Sequence, residues 1–365
     1  MLVAPICLLL LWQAHRISTL KPLLQEVLKW AAPFTPFVFG WMFAQLWHQY
    51  HPVDVTPLST VVWCGLLFMG ARLVGINHRQ LSVIAGIAAF AYGVIALGEV
   101  FWAGRDRAWG GVYENRFGQY AIWLSALSVI HFFLDESLSK VSRAFLLWAA
   151  LFGLIATWLS GSRGALLALP VLIVLLVLKS LNWRNGLFVV LALALALGVG
   201  CYLYSSIYDR FLVMYQEVFQ YFNEPVFTAT SIGVRLELAR VALVTWGEHP
   251  LLGAGYVSLR QLYESHPNLG VPAPGVLIIP GFHSDWFQVM GIGGGLLLSS
   301  LLVTTFWLFC KARHDPYRLL FLGFSMVFGL SELFMTHNLG LGLLMSCWAL
   351  YSAAERNRTS PYEAY

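Results

Sequence analysis

Long apolar runs separated by short polar connections dominate the chain. Runs sufficient to cross about 30 Å of hydrocarbon fall near 30–48, 57–75, 80–99, 117–134, 143–160, 164–179, 186–205, 286–310, 317–334 and 336–353, with a shorter run at 1–13. One polar interval breaks the pattern: residues 206–285, about 80 residues of mixed character, too long for an unstructured connector in a compact protein. The pattern predicts an all-α polytopic integral membrane protein, with about 10–12 transmembrane helices and one large loop. N-terminal transmembrane helices occupy 1–205, the loop 206–285, C-terminal transmembrane helices 286–353 and a tail 354–365.

Inside the loop, 210–222 has the apolar spacing of an amphipathic helix, either lying along the membrane surface or extending the preceding span. In 233–246, Leu236, Ala239, Leu243 and Trp246 recur at helical spacing, with Arg235 and Glu237 near the start. Pro250, Gly253 and Gly255 then end the helix, and the Pro- and Gly-rich stretch 267–282 reads as irregular. It delivers the chain to His283 and Asp285 at the start of the next span.

Composition supports the membrane class. Residues are 59% hydrophobic and 11% charged, against roughly 25% charged in soluble domains. A soluble helical protein would have too little polar sequence to cover such runs. The net charge of +4 comes with no basic stretch dense enough for nucleic acid, so the expected partners include a phospholipid bilayer and no nucleic acid. Cys7, Cys64, Cys201, Cys310 and Cys347 lie in or beside apolar runs without metal-ligand spacing and read as embedded hydrophobes. Residues 1–12 have no preceding basic residue and do not read as a signal peptide.

Charge sets the orientation. Alternate connections carry Arg16, Lys21 and Lys29; Arg72 and Arg79; Lys140 and Arg143; Lys179 and Arg184; Lys311, Arg313 and Arg318; Arg356 and Arg358. By the positive-inside rule that side is cytoplasmic. The opposite side holds eight arginines and no lysine: Arg105, Arg107, Arg116, Arg163, Arg210, Arg235, Arg240 and Arg260. Guanidinium groups present a rigid fork of donors suited to phosphate, so this set points to an anionic, phosphate-bearing ligand outside the membrane; pairing with nearby acidic residues is the alternative for each arginine singly. Two further features share this side. The turn Ser160-Gly161-Ser162-Arg163-Gly164 is a candidate anion nest, and the loop 102–118 carries three arginines and two tryptophans.

GSRG at 161–164, an Arg-bearing loop helix, HPLLGAGY at 249–256 and a histidine opening a span that continues into GIGG together resemble the O-antigen ligase and O-antigen polymerase superfamily of multispan membrane glycosyltransferases, the ligase branch above all. The resemblance covers about 160–296. It implies a transferase in the bacterial inner membrane with its active site facing the periplasm, so that 206–285 is a periplasmic loop. The donor would be an undecaprenyl-diphosphate-linked glycan and the acceptor lipid A–core oligosaccharide, with no metal, nucleotide sugar or other cofactor. It also implies Arg163 and Arg235 as diphosphate ligands and His283 as the catalytic residue. The sequence departs from the family at His283-Ser284, where many members read His-Asn, and after Arg235, where Leu238, Ala239 and Arg240 precede the later Trp246.

A neutral imidazole suits the base that deprotonates a sugar hydroxyl near pH 7; a hydrogen bond to the carrier, or capping of the following helix, are the alternatives for His283. Asp285 is placed to orient the ring or replace it. Arg105, Arg107 and Arg116 are candidates for phosphates on either substrate. No external Asp, Glu and His cluster at characteristic spacing is evident, so no metal site is expected. A repeat-unit polymerase is the first rival. A lipid-linked glycan transporter is the second, which would place charges at several depths, whereas Glu99 and Glu332 stand near helix ends.

Overall fold

A computed structural model describes residues 20–50, 53–179, 205–223, 231–266, 269, 272, 276–278 and 281–359. The expected spans at 1–13 and 186–205 lie outside them. Every regular element among the described residues is helical. In chain order these are α1 (Leu20–Ala31), α2 (Thr35–Trp47), α3 (Thr56–Val74), α4 (His78–Leu97), α5 (Glu114–Leu134), α6 (Lys140–Ser160), α7 (Arg163–Leu166), α8 (Leu169–Lys179), α9 (Ser205–Asn223), α10 (Ser231–Glu248), α11 (Leu259–Ser265), α12 (Asp285–Ala312), α13 (Pro316–Ser331) and α14 (Asn338–Thr359).

Among the described residues, five stretches are long and apolar enough to cross a membrane: Thr56–Val74, His78–Trp102, Glu114–Leu134, Lys140–Ser160 and Asp285–Ala312. Gly164–Leu175 and Pro316–Ser331 are shorter apolar helices. The protein is thus an all-helical polytopic membrane protein. The expected single span at 30–48 is instead two helices joined by a 3-10 turn at Ala32–Phe34. Pro33 and Pro36 lack the amide donors that a continuous helix requires there. The span at 164–179 is likewise divided, into α7 and α8. Beyond α4 a π-helical segment, Gly98–Trp102, carries Glu99 past the helix end.

Local chemistry sets the boundaries. Asn77 and Gln80 form a reciprocal capping box at the start of α4. The Ser139 hydroxyl accepts from Ser142 N at α6, and Asp315 accepts from Tyr317 N and Arg318 N at α13. The interior is aromatic: Trp123 lies 5.4 Å from Phe334 and 5.5 Å from Phe321, ring to ring. Outward faces are apolar too, with Phe39, Trp148 and Phe306 at 71%, 61% and 69% exposure. Large apolar side chains projecting from long helices in this way are suited to lipid.

At one end of the bundle Arg72 pairs with Glu26 at 3.0 Å and donates to Asn357, and Arg356 lies 3.4 Å from Glu26. The other end carries the loop helices. Glu237 joins three of them: it accepts from Arg240 (2.6 and 2.9 Å), Tyr221 (2.9 Å) and Tyr263 (2.5 Å). Around it Leu238, Val241, Leu262, Tyr263 and Phe282 form a separate apolar core.

Backbone hydrogen bonds sew one stretch of the loop to the bundle. Gly294 breaks α12 with φ 59° and ψ −152°, and HPLLGAG passes alongside. Ala254 N donates to Gly291 O (2.8 Å), Gly255 N to Ile292 O (3.0 Å), Gly295 N to Pro250 O (2.7 Å) and Leu296 N to Leu251 O (3.0 Å). A Cβ on Gly253 would sit 2.6 Å from the Ile292 carbonyl carbon, and one on Gly294 2.5 Å from Gly253 N. The two glycine-rich motifs therefore satisfy each other's backbone groups within the chain.

Candidate active site

The chain enters α12 through a tight turn. Gly281 has φ 87° and His283 φ 50°, a left-handed conformation that few non-glycine residues adopt. Phe282 N donates to Gln288 Oε1 (2.8 Å), and Ser284 Oγ donates to Gly329 O at the end of α13 (2.9 Å). These bonds hold the turn so that His283 Nδ1 lies 3.5 Å from Glu332 Oε2. The other carboxylate oxygen, Oε1, accepts from Arg235 Nη2 at 2.9 Å and from Asn115 Nδ2 at 2.8 Å. Residues from three distant parts of the chain thus converge on one carboxylate.

Glu332 is nearly buried, whereas His283 and Arg235 are 34% and 38% exposed. Burial pushes the Glu332 carboxyl up, but the His283 hydrogen bond, the Arg235 charge and the Asn115 amide outweigh it and hold the group below the usual glutamate range. An ionised carboxylate facing Nδ1 selects the tautomer with the proton on that nitrogen, which leaves the Nε2 lone pair free. The arrangement places an imidazole, backed by a carboxylate, beside a part-exposed guanidinium.

Asp285, expected beside the ring, is used otherwise. It is fully buried, and its carboxylate accepts from Phe334 N (3.1 Å), Met335 N (2.6 Å), Thr336 N (2.8 Å) and Thr336 Oγ1 (2.6 Å). Asp285 therefore fixes the loop that presents Glu332. The sequence singled out His283 and Arg235 but gave Glu332 and Asn115 no role. Their signal was position: Asn115 in the 102–118 loop, and Glu332 near the end of the expected 317–334 span.

The GSRG turn packs against this cluster. Arg163 is the first residue of α7, and a Cβ on Gly164 would lie 2.6 Å from Ser331 Oγ, next to Glu332. Ser162 Oγ donates to Asn115 O at 3.2 Å. The loop 102–118 holds the turn from above: Arg107 Nε donates to Ser160 O (2.7 Å), and Ala108 N to Leu159 O (3.0 Å). Gly161, at φ 66°, leaves room for Arg107, which a Cβ would meet at 2.9 Å. Arg107 is thus a clamp on the turn. Arg105 stacks over Trp109 (4.4 Å) and lies 3.6 Å from Glu99, whose carboxylate also accepts from Trp109 N and Gly110 N. Arg116 lies over Tyr113 at 5.7 Å. Burial and the Arg116 charge hold nearby His337 below the ordinary histidine value. Arg240, one of the eight external arginines, spends its donors on Glu237 and Leu269 O.

This cluster lies mostly within or beside a segment that matches known proteins. Residues 148–302 match the family model described as O-Antigen ligase. Over these residues, a little under half of its length, the chain is similar to the O-antigen ligase superfamily. An uncharacterized protein of Haemophilus influenzae is 22% identical over 246 residues, covering 65% of this chain and 61% of that protein. The chain therefore spans less than two thirds of that relative's length. Within the O-antigen ligase segment stand Arg163, Arg235 and His283, while Asn115 and Glu332 reach the site from outside it.

Proposed function

We propose that the protein is an O-antigen ligase, transferring a glycan from an undecaprenyl-diphosphate carrier to lipid A–core oligosaccharide at the periplasmic face of the inner membrane. The observation that carries this reading is the His283–Glu332–Arg235 cluster, in which the O-antigen ligase segment supplies His283 and Arg235. In the reaction the acceptor hydroxyl oxygen attacks the anomeric carbon and its proton passes to His283 Nε2. The bond from that carbon to the diphosphate oxygen breaks, and the lipid diphosphate leaves with the electron pair. Glu332 holds the tautomer and offsets the imidazolium charge as it forms. Arg235 and Arg163 are assigned to the diphosphate, where contacts that tighten as negative charge develops raise turnover.

An apolar cavity of about 530 Å³ supports a lipid-linked substrate. It is lined by Trp63, Tyr92, Tyr120, Trp123, Leu124 and Leu343 among others and reaches Asn338, the residue after His337. A hydrocarbon chain in this cavity would have its head group near the arginine-bearing end.

The test is reconstitution of the purified chain with undecaprenyl-diphosphate-linked glycan and lipid A–core, with product followed by gel and mass spectrometry. A core-linked product that falls about 100-fold or more in both His283→Ala and Arg235→Ala is expected, within the usual range for loss of a general base. Lengthened lipid-linked chains without core product would make the protein a polymerase. Transfer that survives His283→Ala would remove the base assignment.

A further inference from the structure

A second cluster lies at the far end of α10. Arg235 and Glu248 stand thirteen positions apart on this helix, a rise of about 20 Å. Glu248, His249 and His266 each offer one ligand atom, and these atoms lie within 4.8 Å of one another. They come from the helix end, the turn after it and the residue closing α11. Together with Trp47 and His48 they line a cleft of about 670 Å³. The sequence gave no warning of this group, because His266 is seventeen positions from His249 and no short ligand spacing exists.

The geometry at His266 is specific. The residue is buried, at 6% exposure. Its Nδ1 lies 2.8 Å from Leu262 O, an atom that only accepts, and 2.7 Å from Ser265 Oγ. The Ser265 proton is directed at Gln261 O, 2.8 Å away. Nδ1 therefore donates to Leu262 O, and Nε2 faces Glu248 Oε2 at 2.8 Å. An imidazole nitrogen and a carboxylate oxygen at that separation share a proton or a cation. Glu248 also ends its helix, where the dipole disfavours a carboxylate and favours a cation. The His249 ring stands perpendicular to His266, with centroids 6.5 Å apart, and adds a third donor from an exposed position. His48 Nε2 is 2.8 Å from Leu252 O and is held there.

We propose that Glu248, His249 and His266 bind a divalent transition ion, zinc first, with a fourth position open to the cleft. Two imidazoles and one carboxylate are a familiar zinc donor set. A backbone carbonyl behind the non-ligating nitrogen is the usual outer partner of a ligating histidine. The ion ties α10, the 249–258 turn and α11 together. It clamps the helix that carries Arg235 and takes no part in transfer.

The full chain is purified in detergent with a tag free of histidine, stripped with EDTA, desalted and titrated with Co²⁺ and then Zn²⁺. One equivalent of Co²⁺ with the intense visible bands of a low-coordinate nitrogen and oxygen site is expected, displaced by one equivalent of Zn²⁺. Zinc should raise the apparent Tm. Glu248→Gln and His266→Gln should each weaken binding by about tenfold or more, while eluting as wild type and keeping its metal-free Tm. A weak octahedral Co²⁺ spectrum on the wild-type chain overturns the site whatever the variants do. Binding that is unchanged in both variants overturns it as well, by placing the ion elsewhere.

Discussion

Replacing Asp285 by asparagine tests how the catalytic geometry is held. The wild-type carboxylate receives three backbone amides and one hydroxyl from residues 334–336, all in a site with no exposure at Asp285 itself. Asparagine keeps one acceptor oxygen and turns an NH₂ group toward donors. In either orientation at least one buried amide loses its acceptor, at about 1–3 kcal/mol, and the remaining bonds lose their charge assistance, worth about 1 kcal/mol more each. The expected local loss is about 3–5 kcal/mol. Hydrogen exchange reads it directly: amides of Phe334, Met335 and Thr336 should exchange about 100-fold to several thousand-fold faster, since 1.4 kcal/mol is a factor of ten. Glu332 begins this same loop, so transfer should fall in step although Asp285 does not touch the imidazole. Unchanged protection at 334–336 together with wild-type activity would refute the account of Asp285 as the anchor of the Glu332 loop.

Other outcomes follow from the same contacts. Glu332→Gln keeps the shape but not the charge and should lower transfer about 100-fold while leaving the protein folded, read by kinetics beside size-exclusion elution. The folded Glu332 carboxyl is depressed, so its stabilising contribution is complete above the unfolded glutamate value of about 4.3 and is lost as pH falls through the lower folded value; thermal unfolding below pH 4.3 should show an acid loss that Glu332→Gln diminishes. Gly253→Ala places a methyl 2.6 Å from the backbone of Ile292 and should abolish accumulation of folded protein, whereas Gly247→Ala meets open space and should stabilise α10 by up to about 1 kcal/mol. Glu237→Gln removes the charge and one of the two oxygens that accept from Arg240, Tyr221 and Tyr263 and should loosen α9–α11 to proteolysis, with cleavage sites confined to the loop.

The sequence by itself determined the helical membrane class, because burying so many apolar runs in water is impossible and each must satisfy its own backbone. It also marked helical spacing at 210–222 and 233–246, through periodicity, and the motif order that led to His283. Pairing was beyond it. Arg235 and Arg240 are the same residue type five positions apart on one helix, yet Arg240 is consumed by Glu237 while Arg235 reaches Glu332. Asp285 and Glu332 exchanged the roles their sequence positions suggested: Asp285 lies two residues from His283 but points into the amides of 334–336, and Glu332 arrives from 49 positions away. Chain spacing fixes which face of a helix a side chain occupies, but the donor opposite a carboxylate is set by how α12, α13 and α10 pack. The tertiary structure alone therefore decided which acid serves the histidine and which serves the fold.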